Sequence, residues 1–361
     1  MKYTNSFFLP AEWEKQAFIQ LTWPDETTDW KDIILYAKDC FSNIAQAIAQ
    51  REPLLIVSQN SQEVLQYLKD VKGLNNRILQ NIFLIRCPIN DTWARDHAFL
   101  TCTNANGELL LSDFRFNGWG NKFEHSLDNK INHNIFHNIC TYYSKKYKLE
   151  PHYNDANDFV LEGGSIEVDG NGTLMTTSSC ILNANRNSNL NEAEIFERLK
   201  SEFGVSNILV LRHGHLEGDD TDGHIDTLAR FCPNNVITYV CSSNPNDEHH
   251  KELKAMEEEL QTFTNAYGEA YTLIPLPMPD EIRDKDGQRL PATYANFTII
   301  NDAILMPTYG QEENDQKAKE QIQKAFPNYD IILINCNALI QQHGSLHCST
   351  MQYPAPKILC N

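Results

Sequence analysis

One segment near the middle of the chain, residues 214–226, concentrates groups that can bind a cation or transfer a proton. Six acidic or histidine side chains lie among the eleven residues after Gly214, and Asp226 follows them. Glycines at 214, 218 and 223 prevent a regular helix, so we expect a turn that leads into a strand. Crowded carboxylates shift one another's pKa and that of His224. The segment therefore predicts a site for a cation or for proton transfer, with an acidic surface loop as the alternative.

Three other short segments place reactive side chains in turns or beside glycines, where α/β proteins keep their sites. They are Asp91-Thr92-Trp93-Ala94-Arg95-Asp96-His97, Glu162-Gly163-Gly164 and Gln342-His343-Gly344-Ser345-Leu346-His347-Cys348. For the first segment, the alternative to a functional site is a capped turn in which an Asp and an Arg form a purely structural pair. Glu162 either holds a ligand beside the open Gly-Gly backbone or faces solvent at a strand bulge. Cys348, beside His347 in a polar turn, is a candidate nucleophile.

Metal binding competes for the acidic segment, but the spacing of the residues does not match a known metal motif. The residues of suitable type are His213, His215, Glu217, Asp219, Asp220, Asp222 and His224. They contain no His-Glu-x-x-His, and a calcium loop would place Gly218 and Ala229 at two ligand positions. No metal is predicted, and a nonstandard site is left open.

The composition of the chain limits the classes of molecule that it is expected to bind. The formal net charge of −18 opposes binding to nucleic acid and favours small cations. No run of eighteen apolar residues and no signal peptide is present, so no membrane partner and a cytoplasmic location are expected. The ten cysteines form no Cys-x-x-Cys pair and are expected to be mostly buried thiols. Because no linker divides the chain, residues 1–361 are predicted to form one catalytic domain.

Short apolar runs alternate with helical periodicity, which is typical of an α/β protein. The predicted strands are residues 53–57, 82–86, 207–211, 236–241, 294–305 (one strand or a pair) and 331–335, and the predicted helices are residues 33–48, 61–70 with Ser61 as N-cap, 191–203, 247–263 and 312–326. No Gly-x-Gly-x-x-Gly or Gly-x-x-x-x-Gly-Lys-Ser/Thr follows these strands, so no nucleotide cofactor is predicted.

Together, these motifs resemble the agmatine deiminase branch of the guanidine-modifying enzymes and its relatives, the bacterial-type peptidyl-arginine deiminases. The resemblance rests on Leu9-Pro10-Ala11-Glu12-Trp13-Glu14, Leu21-Thr22-Trp23-Pro24, Trp93-x-Arg95-Asp96, Glu162-Gly163-Gly164, Asp222-Gly223-His224-Ile225-Asp226 and Gly344-x-x-His347-Cys348. It implies the pentein α/β-propeller, in which five ββαβ units surround a pseudo-fivefold axis with a central active site. It also implies a hydrolase that needs no cofactor.

The same resemblance implies a role for each matching residue. Cys348 would be the nucleophile, His224 the general acid and base, Asp96 and Asp226 the carboxylates that hold the guanidinium, Glu162 the group that orients His224, and Trp93 a lining residue of the pocket. Asp220, four residues before His224, is the candidate contact for a distal ammonium group, with a solvated loop acid as the alternative. His213, His215 and Glu217 are expected to be loop scaffolding.

The implied reaction is hydrolysis of a small cationic guanidine, agmatine, to N-carbamoylputrescine and ammonia through a covalent amidino-cysteine, as in putrescine biosynthesis. Deimination of free or peptidyl arginine is the alternative, and a polyamine-binding protein without turnover is a third hypothesis. The chain departs from its relatives at Gln342 and His343, where they often have glycine. A homo-oligomer is left open.

Overall fold

The computed structural model of the protein describes residues 6–357, so Cys360 lies outside the described part of the chain. Strands account for sixteen segments of these residues. In chain order they are β1 Gln16–Thr22, β2 Leu54–Ser58, β3 Ile82–Arg86, β4 Leu100–Thr103, β5 Leu109–Arg115, β6 His152–Val160, β7 Ile166–Val168, β8 Thr173–Thr177, β9 Asn207–Leu211, β10 Ala229–Cys232, β11 Val236–Cys241, β12 Thr272–Pro277, β13 Thr298–Ile300, β14 Ala303–Thr308, β15 Asp330–Asn335 and β16 Thr350–Pro354.

Helices of two kinds connect the strands: long ones that cover the sheets and short ones of a single turn or slightly more. In chain order they are α1 Ile34–Ala49, α2 Ser61–Gln66, α3 Asn76–Leu79, α4 Ala94–His97, α5 Gly118–Asn121, α6 Ile131–Tyr147, α7 Ser178–Ile181, α8 Glu192–Phe203, α9 His250–Leu260 and α10 Glu312–Ala325. Within the described residues, no helix has the length and apolar character needed to span a membrane.

The strands form five small sheets built on one plan. Four of them follow the order ββαβ, in which the first two strands are antiparallel and the third lies parallel to the second after a helix. The units are β4-β5-α6-β6, β7-β8-α8-β9, β10-β11-α9-β12 and β13-β14-α10-β15. The fifth sheet joins the two ends of the chain, because β16 pairs with β1, and β2 and β3 extend it in parallel. The predicted propeller of five ββαβ units is confirmed, with β3 as an additional strand.

Local sequence signals explain how well α8 matches its predicted range. Asn191 caps the helix by accepting a hydrogen bond from the backbone N–H of Glu194, whose side chain in turn accepts from the Asn191 backbone. This reciprocal capping box satisfies two N–H groups that the first helical turn leaves free. At the other end, Gly204 adopts φ 64°, a left-handed conformation that glycine tolerates without strain.

Two predicted elements differ in detail from the structure. The helix predicted over residues 61–70 begins at Ser61, but its cap is Asn60, and after Gln66 it continues as a π-helical turn over Tyr67–Val71. Asn and Ser are both good caps, so composition alone placed the cap one residue late. Of the two alternatives for residues 294–305, the pair of strands is found, but it covers only β13 and β14, with Asp302 in the connecting turn at φ 63° and residues 294–297 outside any strand.

The connection after the third strand of each unit leads toward one shared centre. These connections are α4, the short 3-10 turns Gly163–Ser165 and Ile225–Thr227, the segment 290–297, and the segment 339–349. The first three pack directly against one another. The fold thus brings residues from five distant parts of the sequence to the centre of the propeller.

Candidate active site

Cys348 lies in the last of these connections and is 6% exposed. Its Sγ is 3.3 Å from Nδ2 and 3.4 Å from Oδ1 of Asn296, and 3.7 Å from Oδ2 of Asp226. The Asn296 side chain also accepts a hydrogen bond from the Cys348 backbone N–H at 3.3 Å. The Asn296 side chain therefore contacts both the thiol and the backbone N–H of Cys348.

Because Gly164 has no side chain, it leaves a space that three charged groups surround. A methyl group added at its Cα would lie 2.7 Å from Nδ1 of His224, 2.9 Å from Oδ1 of Asp96 and 3.0 Å from Oδ2 of Asp226. Carbon atoms do not approach polar atoms so closely without displacement, so glycine is required here for steric reasons. The predicted clamp residues and the predicted acid/base group therefore converge on one small volume beside Cys348.

Asp96 is fixed by hydrogen bonds to both carboxylate oxygens. Its Oδ1 accepts from the backbone N–H of Gly164 at 3.0 Å, and its Oδ2 accepts from Nε1 of Trp119 at 3.0 Å. Burial, opposed by the neighbouring His224 and reinforced by Asp226, raises the pKa of Asp96 to about 6. A cationic ligand beside this carboxylate would favour its ionised form.

Asp226 is fully buried, and its two oxygens differ. Oδ2 lies 2.7 Å from Nδ1 of His347, whereas Oδ1 has no hydrogen-bond partner within the described residues. Burial acts to raise the pKa of Asp226, but the hydrogen bond and charge of His347, with His224 and Arg230, lower it below its ordinary value. Asp226 is thus a carboxylate with one oxygen anchored and one available.

His224 is fully buried, and neither ring nitrogen has a hydrogen-bond partner among the described residues. Its Nδ1 lies 3.6 Å from Oδ1 of Asp96. Burial acts to lower the pKa of His224. The charge of Asp96, then Cys180, then the charge of Asp226 outweigh burial and raise this pKa well above its ordinary value. This environment favours an imidazolium that can give up a proton to a bound molecule.

Glu162 lies behind His224 and is fully buried, so the solvent-facing alternative is wrong. Both of its oxygens accept from Nε of Arg186, at 3.0 and 2.9 Å, and the Cys180 thiol completes a group whose atoms lie within 4.8 Å of His224. No hydrogen bond joins Glu162 to the imidazole, so its orienting role stays a prediction that requires an electrostatic effect.

Two clusters in the described residues offer three metal-ligating atoms each. One is Glu162, Cys180 and His224, and the other is Glu12, Glu167 and His347. A guanidinium already neutralises the carboxylates in each cluster, Arg186 in the first and Arg230 in the second. An added cation would have to displace these buried ion pairs, so the donor sets fit structural charge pairing better than a metal.

The predicted lining residue Trp93 is buried and lines a small cavity together with Cys348. Its Nε1 donates to Asp91 at 3.1 Å, and a methyl group on Gly344 would lie 2.3 Å from its ring. Asp96, Asp220 and His343 line the same cavity. The closeness of Gly344 to Trp93 explains why a glycine stands in this turn.

The remaining acidic residues of the 214–226 segment mostly shape the loop. Asp219 accepts hydrogen bonds from the backbone N–H groups of Thr221 and Gly223, and Asp222 pairs with Lys122 and Arg186. His213, His215 and Glu217 remain exposed, as expected of scaffolding. Asp220 alone of these carboxylates lines the cavity, and burial, reinforced by Asp219, raises its pKa to about 6.

His347 does not form a catalytic pair with its sequence neighbour. Its ring contacts Asp226 and Glu12 instead, and neither His347 nor Glu12 lines the cavity. Burial and the charges of Asp226 and Asp96 raise the pKa of the Cys348 thiol well above its ordinary value. The two carboxylates therefore disfavour the thiolate form of Cys348.

Sequence reasoning missed several residues of this centre. They are Asn296, Trp119, Arg186 and Cys180, which contact Cys348, Asp96, Glu162 and His224 respectively. Asn296 is the only one with a usable sequence signal, because it interrupts an apolar run just before a strand. That signal becomes informative only when the fivefold repeat is known.

The chain was compared with known proteins. A family model described as Porphyromonas-type peptidyl-arginine deiminase matches residues 8–354. The agmatine deiminase of Stutzerimonas stutzeri is 30% identical, and the match covers 98% of this chain and 96% of that protein.

Solved structures of related proteins are also similar to this chain. A cysteine-to-serine variant of the C. jejuni agmatine deiminase with bound substrate is 35% identical, with a TM-score of 0.85 and 97% of both chains covered. A Porphyromonas gingivalis structure provisionally named an arginine deiminase is 44% identical, with a TM-score of 0.86, and the match covers 96% of this chain and 98% of that one. This chain belongs to the Porphyromonas-type peptidyl-arginine deiminase family.

Proposed function

We propose that this protein is an agmatine deiminase, which hydrolyses agmatine to N-carbamoylputrescine and ammonia through a covalent amidino-cysteine. The observation that carries the proposal is the convergence of Asp96, Asp226 and His224 on the space above Gly164, next to the Cys348 thiol. The names of the Stutzerimonas stutzeri and C. jejuni relatives support agmatine as the substrate.

Binding begins with the guanidinium, whose central carbon is a poor electrophile while its charge is delocalised. Asp96 and Asp226 accept hydrogen bonds from its N–H groups and hold it under Cys348. Oδ2 of Asp226 is the oxygen nearest the space above Gly164, and Oδ1 has no hydrogen-bond partner among the described residues. Two carboxylates on separate connections fix both the position and the plane of the group.

Thiolate formation depends on the substrate in this mechanism. In the free site the pKa of Cys348 is high because of burial and the two aspartates. The bound cation neutralises those aspartates, so the thiol loses its proton more readily when the guanidinium is in place. The enzyme is thereby reactive chiefly toward molecules that carry this positive charge.

The reaction then proceeds in two steps. The Cys348 thiolate attacks the central carbon, His224 as imidazolium protonates the departing nitrogen, and ammonia leaves an amidino-thioether. Neutral His224 then removes a proton from water, which attacks the same carbon and expels the Cys348 thiolate as the ureido product forms. The raised pKa of His224 suits the first of these tasks.

The distal end of the substrate favours agmatine over arginine. Asp220 lines the cavity between Cys348 and solvent and is suited to an ammonium group, whereas arginine would bring a carboxylate there. The nearby cation Lys122 is already occupied by the carbonyl of Asp220 and the side chain of Asp222. It therefore offers little to the carboxylate of an amino acid.

The test compares ammonia release from agmatine, free arginine and an arginyl peptide, with Cys348→Ala as the inactive control and Cys241→Ala as a matched cysteine variant outside the site. We expect agmatine to be preferred and Cys348→Ala alone to abolish release. Preference for arginine or the peptide would favour the alternative substrate. Unchanged release in Cys348→Ala would rule out the proposed nucleophile, and binding without turnover in the wild type would favour a polyamine-binding protein.

A further inference from the structure

Glu12 and His347 belong to the motifs that carry the resemblance, but the proposed reaction does not use their side chains. Neither residue lines the cavity beside Cys348, and His347 is fully buried. An imidazole between two carboxylates is costly to bury unless its hydrogen bonds are made. Its arrangement therefore indicates a function for this pair beyond filling space. The inference rests on the function proposed above.

The contact between His347 and Asp226 determines which carboxylate oxygen remains free. Nδ1 of His347 lies 2.7 Å from Oδ2 of Asp226, and an ionised carboxylate can only accept a hydrogen bond. Nδ1 therefore carries a proton in either charge state of the ring. With Oδ2 engaged, Oδ1 is the oxygen left without a partner among the described residues.

The ring of His347 is itself held from behind. Its Nε2 lies 2.8 Å from Oε1 of Glu12 and 3.0 Å from Nη2 of Arg230. Glu12 also accepts hydrogen bonds from Arg95 at 3.0 Å, Arg230 at 2.7 Å and Gln352 at 3.0 Å. The position of the ring is thus fixed by groups that never contact the cavity side of Asp226.

We propose that His347 is a positioning residue for the guanidinium clamp. Its Nδ1–H anchors Oδ2 of Asp226, the oxygen nearest the space above Gly164, and so fixes the carboxylate for the substrate. Glu12 with Arg230 keeps the ring in that orientation. The backbone N–H of His347 also donates to Oδ1 of Asn296 at 2.9 Å, the amide that contacts the Cys348 thiol. One residue therefore links the clamp to the holder of the nucleophile.

Other charged groups also act on Asp226, so the effect of His347 must be separated from theirs. They are His224, Arg230, Asp96 and the Cys348 thiol. None of the first three donates a hydrogen bond to Oδ2 within the described residues, and the thiol lies at 3.7 Å, a long contact. Loss of the Nδ1 donor would raise the pKa of Asp226 toward that of Asp96. Protonation of Asp226 would then add to that of Asp96, and the acid limb of kcat/KM would move to higher pH and become steeper.

Two substitutions separate the two ring nitrogens. In His347→Asn the amide nitrogen takes the place of Nδ1, whereas in His347→Gln it takes the place of Nε2. We expect His347→Gln to have a kcat/KM for agmatine about 10- to 100-fold below that of His347→Asn, since a hydrogen bond to a charged group is lost. The acid limb should shift upward in His347→Gln only. Exposed His213→Gln serves as the control for histidine loss.

If His347 had only a structural role, His347→Asn and His347→Gln would lose activity to the same extent. Equal losses in the two, or an unmoved acid limb in His347→Gln while both unfold at similar temperatures, would overturn the proposal. Inactivation by 2-chloroacetamidine provides a second readout, because this amidinium must occupy the clamp to alkylate Cys348. The same contrast between the two variants is expected there even if the wild type releases no ammonia from agmatine, which would reject the proposed function separately.

Discussion

The two sides of the propeller centre contrast in how their charges are paired. On the cavity side, both ring nitrogens of His224 and one oxygen of Asp226 are buried without hydrogen-bond partners in the described part of the chain. On the opposite side, Glu12 accepts hydrogen bonds from two arginines and a glutamine, and Arg230 donates to two carboxylates and two backbone carbonyls.

This difference indicates that a ligand can bind on the cavity side by pairing with groups that are unpaired without it. Buried polar groups without partners are costly, and proteins retain them chiefly at functional sites. A guanidinium with its N–H groups would satisfy the Asp226 oxygen and complete the cavity side. On the opposite side the carboxylates of Glu12 and Glu167 are paired, so this side can stabilise the fold and hold the groups around the cavity in place.

The largest effect on the cavity side is expected from Gly164→Ala. The added methyl group would lie within 3.0 Å of His224, Asp96 and Asp226 and occupy the space of the guanidinium. Displacing reacting groups by about 1 Å costs on the order of 100-fold, so kcat/KM for agmatine should fall by at least that factor. Gly287→Ala is the control: its methyl group meets nothing within 4 Å, and although φ 82° strains an alanine there, the strain is local and activity should be retained. Full activity in Gly164→Ala would mean that the substrate binds elsewhere.

On the opposite side, Glu12→Gln should act on stability. It leaves the buried Arg95 without a carboxylate partner and Arg230 with Glu167 alone, which costs about 3 kcal/mol in the free energy of unfolding, measured by denaturant titration. The pKa of Glu12 is lowered well below its ordinary value, although burial alone would raise it, because His347, Arg95 and Arg230 stabilise the carboxylate. Its contribution is therefore present at neutral pH and lost as the pH falls through the folded value, and the variant and wild type should converge in acid. A constant difference across pH would contradict the charge pairing.

Asp96→Asn should show the reverse pattern, with lost activity and little change in stability. Removing one carboxylate of the clamp should lower kcat/KM by about 30-fold or more. In the wild type, kcat/KM should fall as the pH drops through about 6, the value to which burial raises the pKa of Asp96. Steady-state kinetics across pH and thermal unfolding measure both effects. A large loss of stability would place Asp96 with the structural pairs instead.

The smallest effect is expected at the rim, from Asp220→Asn. It should raise KM for agmatine about 10-fold with little change in kcat, since only the distal ammonium loses a charged partner. The same variant should treat butylguanidine, which lacks the ammonium, like the wild type. Exposed Glu217→Gln controls for loss of loop charge. Equal effects on both substrates would remove Asp220 from the binding site.

The sequence singled out the polar residues that meet at the centre better than the residues that hold them. Asp96, His224, Asp226 and Cys348 stand in unusual polar or glycine-rich contexts, and the structure brings all four together. Asn296 and Trp119 resemble ordinary core or turn residues, and their partners lie 52 and 23 positions away. Periodicity predicted α/β elements, but their closure into five units followed only from the resemblance, because strand pairing between the chain ends leaves no local signal.

The covalent intermediate tests the central claim most directly. Acid quenching of the enzyme during turnover of agmatine, followed by peptide mass spectrometry, should show the mass of agmatine less ammonia on the peptide that contains Cys348. The adduct should be absent in Cys348→Ala. An adduct on another residue, or ammonia release by Cys348→Ala at the wild-type rate, would contradict the account.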